Sequence, residues 1–521
     1  MATPGDFIGE EPFPALQHTS IVELQSEMAS GRLTATTLVQ RYLARIEALD
    51  RAGPRLNAVL EVNPEALEIA AALDRERREG RVRGPLHGIP LLLKDNIDTA
   101  DRMMTTAGSL ALMGAAPLQD ATAAARLREA GAILLGKTTL SEWANFRSKF
   151  SSSGWCGRRG QGRNPYALDR TPSGSSSGSG IAAAAALCAA ALATETDGSI
   201  VSPASANGVV GIKPSVGLVS QAGVIPISHT QDTVGVHARS VADAAAVLTA
   251  LANGPGDPRD PATRETDGAA TDYTRFLDRD GLQGARIGVA RNLGADSGPL
   301  VEAVMRKAIH AMEAAGAIVI DPAAIPSDLD AAAEAELEVL LFEFKANLNS
   351  YLATRQDVAL DQEGYPLTLA GLIDFNQDHA EQELPFFGQD LFLAAEARGP
   401  LTDPAYLRAL DTSRRLSGLE GIDQVVRDHR LDALVAATGG PARPIDLING
   451  DARALGTSSV AARAGYPIVS IPVGLIGGMP MNISFFGPRF SEPVLIRLAF
   501  ALEQATLARQ PPRYLPRLPV W

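Results

Sequence analysis

The residues best suited to chemistry in this chain fall in three short polar stretches. Lys94 ends the apolar run Ile89-Pro90-Leu91-Leu92-Leu93, Ser175 and Ser176 lie in the segment SGSSSGSG, and Ser199 closes the turn Thr196-Asp197-Gly198-Ser199. A lysine surrounded by apolar residues gives up its proton far below its usual ~10.4, and a serine hydroxyl becomes a nucleophile once a base can take its proton. The turn offers successive backbone N–H groups, the donors that stabilise a developing oxyanion.

Two other motifs match by letter. Gly131-Ala-Ile-Leu-Leu-Gly136-Lys137-Thr138 satisfies the spacing of a phosphate-binding loop. Such a loop needs flexible residues with inward-turned amides, whereas Ala-Ile-Leu-Leu reads as a buried strand. Gly174-Ser175-Ser176-Ser177-Gly178 fits a nucleophile elbow centred on Ser176, which would make an α/β-hydrolase-type esterase. The elbow requires an apolar strand directly before it, and NPYALDRTP stands there instead. His229, His237, His310, His379 and His429 follow Ser176 as possible partners, so the elbow stays the runner-up. A flexible linker is a third reading of SGSSSGSG, and the Ala-rich run that follows at once argues against it.

The elements that must position these residues read as an α/β pattern. Ser20 with Glu23 three residues on is a capping-box signature, opening an N-terminal helical region over 20–80, with NAVLEV (57–62) a strand candidate inside it. Strand-like AILLG, GVVGIKP, RIGVA, AIVI, ALVAAT, IVSIPVG and MNISFFG alternate with helical stretches at 120–130, 298–315 and 492–508. The run Gly180–Ala193 reads as one buried helix carrying Cys188. Residues 253–282 read as an exposed excursion, and 328–430 as a mostly helical insertion.

The chain has 521 residues, 47 Lys and Arg against 60 Asp and Glu, and a net charge of −13. That balance repels polyanions, so nucleic acid is not an expected partner. Two cysteines, Cys156 and Cys188, do not make a disulfide framework. The acidic start MATPGDFIGEEPFPALQH lacks the form of an export signal and points to a cytoplasmic protein, and no apolar stretch is long enough for a membrane span.

Taken together, HGIPLLLKDNIDTADRMMTTAGS, PSGSSSGSG and ETDGSIVSPASANGVVGIKPSVGLVS resemble the three signature blocks of the amidase signature family, in the family's order. The resemblance runs from about residue 20 to 510. It implies one α/β domain over 1–521, a large mixed twisted sheet covered by helices on both faces, with the signature core at 85–250. It implies that Ser199 is the acyl-forming nucleophile, Ser175 a bridging serine and Lys94 the base, with a cis peptide before Ser175. The backbone of Thr196, Asp197, Gly198 and Ser199 would form the oxyanion hole, with Gly174, Ser176 and Glu195 in support and neither metal nor cofactor.

The chain departs from that pattern near the nucleophile. Asp197 replaces the first of two glycines, so its backbone either avoids positive φ or tolerates it, and its carboxylate must point away from an oxyanion. Glu195 and Val201 stand where the family often has Asp and Arg. Within the family, TETDGSI, the segment 154–170, EFKANL and LIDFNQDHAEQEL most resemble peptide amidases, which release ammonia from C-terminal amides. Phe342, Phe344, Phe375, Phe386 and Phe387 would then wall a cleft in the 328–430 insertion, or pack its core. The expected partner is a small-molecule or peptide amide substrate, and the enzyme itself is expected to be a monomer or homodimer. The alternative is a glutamine amidase subunit of an amidotransferase complex.

Overall fold

A computed structural model of the protein describes residues 11–265, 269, 271–293, 298–452 and 456–518. The first ten residues, where most of the export-signal reading rests, lie outside these. In chain order the strands are β1 (Val59–Val62), β2 (Pro90–Lys94), β3 (Ile133–Thr138), β4 (Trp155–Cys156), β5 (Gly160–Gln161), β6 (Ala190–Glu195), β7 (Val210–Lys213), β8 (Thr233–Ala238), β9 (Arg286–Val289), β10 (Ile318–Ile320), β11 (Ala433–Ala437), β12 (Ile468–Ile476) and β13 (Met479–Phe486). Eleven of them form one mixed sheet in the order β1-β3-β2-β6-β8-β7-β12-β13-β11-β9-β10, and β4 and β5 pair separately. β2 runs parallel to both β3 and β6, and β6 runs antiparallel to β8.

Both faces of the sheet are buried, as the alternation of side chains shows. Ala433, Val435 and Ala437 of β11 join one apolar cluster while Leu434 and Ala436 join another, and Val469 and Ile471 of β12 part from Ile468 in the same way. Helices supply the cover. The capping box forms: Ser20 Oγ accepts from the Glu23 amide, the Glu23 carboxylate accepts from the Ser20 amide at 2.7 Å, and helix Ile21–Ala29 follows.

The run Gly180–Ala193 is not one helix. Helix Ser177–Ala184 ends, a turn holding the buried Cys188 intervenes, and Ala190–Glu195 becomes β6. A strand hydrogen-bonded on both edges and covered on both faces is apolar throughout, so no period separates it from a buried helix, and alanine's helix preference gives way to the sheet. The stretch read as an exposed excursion also docks in part. Asp257, Asp260 and Tyr273 are buried, and Asp257 accepts from Ser220 Oγ at 2.9 Å.

The phosphate-loop letters fold as β3. Lys137 is buried, with Nζ donating to the Ile97 carbonyl at 2.6 Å and Thr105 Oγ1 at 2.8 Å. Residues 329–429 hold a series of helices from Leu329–Leu352 to Asp423–His429.

Candidate functional site

Lys94 stands at the C-terminal end of β2, beside the parallel β6, and both strands are buried along their length. The run Leu91-Leu92-Leu93 leads into it through the core, and its own side chain is fully buried. Nζ donates to Ser175 Oγ at 2.8 Å, Thr194 Oγ1 at 2.8 Å and the Thr194 carbonyl at 3.3 Å. Burial lowers the ammonium from 10.5 to about 7, against the opposing pull of the Asp232 and Glu195 carboxylates. Near neutral pH Lys94 is thus able to stand as a free amine that accepts a proton.

Ser175 lies just ahead of helix Ser177–Ala184, after a cis peptide from Gly174. Its hydroxyl donates to Ser199 Oγ at 3.0 Å, so Lys94, Ser175 and Ser199 form an unbroken hydrogen-bonded chain. Its carbonyl accepts from the Ser141 amide at 3.0 Å. Only glycine fits before it, because a Cβ on Gly174 would stand 2.2 Å from Ser141 Oγ. Lys94 and Ser175 are 0% exposed and Ser199 is 8% exposed, so solvent meets this chain at its Ser199 end.

The turn 196–199 links β6 to the short helix Val201–Ala206. Its positive φ falls on Gly198, at 80°, and not on Asp197. The Gly198 carbonyl accepts from the Ser202 amide at 2.8 Å and the Ser199 carbonyl from the Ser176 amide at 3.2 Å. With those carbonyls committed, the Asp197, Gly198 and Ser199 amides have no acceptor among the described residues. The Asp197 carboxylate turns away toward Ser458 Oγ at 2.5 Å and Ser459 Oγ at 2.6 Å. Glu195 finds partners in place of an arginine: its carboxylate accepts from the Ile200 amide at 2.6 Å and the Val201 amide at 3.0 Å.

Residues 37–496 match the amidase family. The chain belongs to the amidase family. The amidase is 42% identical to a probable amidase of Arabidopsis thaliana, over 96% of this chain and 92% of that one. It is 34% identical to a glutamyl-tRNA(Gln) amidotransferase subunit of Chloroflexus aurantiacus, over 94% and 97% of the two chains. Among solved structures, native peptide amidase from Stenotrophomonas maltophilia superposes with a TM-score of 0.90 at 53% identity, covering 96% of this chain and 100% of that one. The large mixed sheet is that of the solved structures, and the enzyme is an amide hydrolase.

The elbow centred on Ser176 is absent from this amidase. Ser176 Oγ donates to the Thr194 carbonyl at 2.9 Å and accepts from the Thr194 amide at 3.3 Å, which ties the serine loop to β6. The buried His237 bonds the Ile200 carbonyl at 2.7 Å and burial lowers it to about 4, while His229 and His379 bond Asn347 and the Phe375 carbonyl.

Several residues of the amidase site carry no signal in the sequence. Thr194 receives hydrogen bonds from Lys94 and, at 3.0 Å, from Asn96 Nδ2. Asp232 accepts from Thr196 Oγ1 at 2.6 Å and from the Ile227 and Ser228 amides at 2.8 and 2.9 Å. Gln231 reaches the Thr196 carbonyl at 3.4 Å and Glu336 at 2.9 Å, joining helix Leu329–Leu352 to the turn. In that insertion Phe342, Phe344 and Phe375 pack as core, against Tyr406, Phe392 and His379. Phe386 is 43% exposed, edge-on to Trp155, which also meets the buried Phe387.

Proposed function

We propose that this amidase hydrolyses a carboxamide to a carboxylate and ammonia through an acyl-enzyme on Ser199, and that its substrate is the C-terminal amide of peptides. The observation that carries the reading is the chain Lys94–Ser175–Ser199, buried at the lysine and open at Ser199. Neutral Lys94 takes the Ser175 proton as Ser175 takes that of Ser199, and Ser199 Oγ bonds to the amide carbon. The oxyanion meets the turn amides of 196–199, each donor of this kind being worth about 3 kcal/mol. The proton on Lys94 then passes through Ser175 to the departing nitrogen as the C–N bond breaks and ammonia leaves, and water, deprotonated in the same way, attacks the ester to release the acid and restore the Ser199 hydroxyl.

The 53% identity to peptide amidase over nearly the whole chain supports the peptide amide as substrate. Phe386 and Trp155 would wall the side-chain part of the cleft, and the enzyme acts alone as a monomer or homodimer. The test is ammonia release from peptide amides, free amino-acid amides, aryl amides and glutamine. Peptide amides should be preferred, at a specific activity independent of enzyme concentration. Activity on glutamine that appears only with a partner protein would instead make this an amidotransferase subunit.

A further inference from the structure

Helix Leu329–Leu352 grips the segment 228–232 with two buried carboxylates, Glu336 and Glu343. Seven residues separate them, so they lie on one face of the helix, about 10 Å apart along its axis. Glu343 accepts from Ser228 Oγ at 2.5 Å, Thr230 Oγ1 at 3.1 Å and the Tyr406 hydroxyl at 2.6 Å. Glu336 accepts from Gln231 Nε2 at 2.9 Å and Arg463 Nε at 2.8 Å. Within the gripped segment the chain turns tightly, the Gln231 and Asp232 amides both donating to the Ser228 carbonyl, at 3.2 and 2.8 Å. Both residues then reach Thr196: Gln231 Nε2 donates to its carbonyl at 3.4 Å, and Asp232 accepts from its hydroxyl at 2.6 Å.

We propose that Gln231 is a positioning residue for the oxyanion: by holding the Thr196 carbonyl it sets the plane of the Thr196–Asp197 peptide, and Glu336 holds Gln231 in place. This role rests on the turn amides being the donors to the oxyanion. A trans peptide points its carbonyl and its N–H in opposite directions, and the bond between Thr196 and Asp197 is trans. A donor fixed to the carbonyl on one side therefore aims the Asp197 N–H to the other, where no acceptor meets it among the described residues. The side-chain nitrogen of Gln231 has two N–H groups, one for Thr196 and one for Glu336. It cannot swing away without leaving a buried carboxylate oxygen short of a donor. A peptide free to rock would aim its N–H poorly, and an oxyanion loses more by that than a bound amide does.

The test uses the whole enzyme and its preferred amide. Gln231→Met keeps the length of the side chain and removes both N–H groups, so kcat should fall about tenfold to a hundredfold while KM holds. The trifluoromethyl ketone that replaces the carboxamide of that substrate bonds to Ser199 Oγ and places an oxyanion in the turn, and its inhibition constant should rise by about the same factor. Glu336→Ala should lower kcat about threefold to tenfold alone and add nothing to Gln231→Met, because it acts through Gln231. Either variant alone, read with the ketone, carries the test should the other not fold. A Gln231→Met enzyme with wild-type kcat and ketone affinity overturns the proposal, and so does a pair of substitutions whose losses multiply. Full activity of Ser199→Ala removes the acyl-enzyme and the oxyanion together, whereas an inactive Ser199→Ala beside an unchanged Gln231→Met removes the positioning role alone.

Discussion

Holding a lysine neutral inside a protein destabilises the fold, and the cost depends on pH in a way that a single substitution exposes. In the unfolded chain the Lys94 amine titrates near 10.5, and in the folded enzyme burial brings it to about 7. Between those values the unfolded state holds a proton that the folded state lacks, so stability rises with pH across the window and the full cost is present below it. The separation corresponds to about 5 kcal/mol at pH 6 and about 2 kcal/mol at pH 9. Lys94→Met keeps most of the volume and removes the charge. It also deprives Ser175 Oγ and Thr194 Oγ1 of a donor, a loss of about 2 kcal/mol that does not vary with pH. The inactive variant should therefore be more stable than the wild type by about 3 kcal/mol at pH 6, and about equal to it at pH 9. Urea unfolding at the two pH values measures this directly. A stability difference that stays the same at both would refute the neutral lysine, and so would a wild-type kcat/KM that does not rise with pH through about 7.

Ser199→Ala should lower turnover by about 10⁴-fold or more and remove any burst of acyl-enzyme, while Ser176→Ala, which cuts only the ties to the Thr194 backbone, should retain activity reduced about tenfold. Steady-state and pre-steady-state ammonia release distinguish these from the elbow assignment, which requires the reverse order. Gly174→Ala should be inactive and destabilised by about 1–3 kcal/mol, because its Cβ meets Ser141 Oγ at 2.2 Å, and thermal unfolding against the wild type reads the cost. Asp197→Ala frees the turn from Ser458 and Ser459, and kcat should fall about tenfold to a hundredfold with KM nearly unchanged.

Lys94, Ser175 and Ser199 were legible in the sequence because their surroundings are unusual for their types: a lysine after three leucines, and serines between glycines at the head of an apolar run. The strand that ends at Lys94 was legible as an apolar run, and the capping box at Ser20 is a purely local device. Thr194 was hidden because the strand that carries it, β6, is built from small apolar residues that read as helix. Asp232, Ser458 and Ser459 were hidden for a different reason. Ser458 meets Asp197 across 261 positions, and such a meeting is decided by how the sheet and its helices close, not by any local pattern. Phe344 and Phe375 show the limit from the other side, since an aromatic at helical spacing suits a core and a cleft equally well.

Three carboxylates surround the Lys94–Ser175–Ser199 chain, and each is turned to donors of its own. Glu195 takes the Ile200 and Val201 amides, Asp197 the Ser458 and Ser459 hydroxyls, and Asp232 the Thr196 hydroxyl with the Ile227 and Ser228 amides. None forms an ion pair with Lys94 among the described residues, and an ion pair is what would return the amine to its charged form. Asp232 still acts at a distance, being the larger of the two charges that pull Lys94 upward against burial. Asp232→Asn removes that pull while keeping an acceptor oxygen for Thr196. The acid limb of the kcat/KM profile should then move below its wild-type midpoint, by up to about one unit, with the alkaline plateau little changed. A midpoint that moves upward would mean that Asp232 governs the rate through the turn at Thr196 and not through the charge state of Lys94.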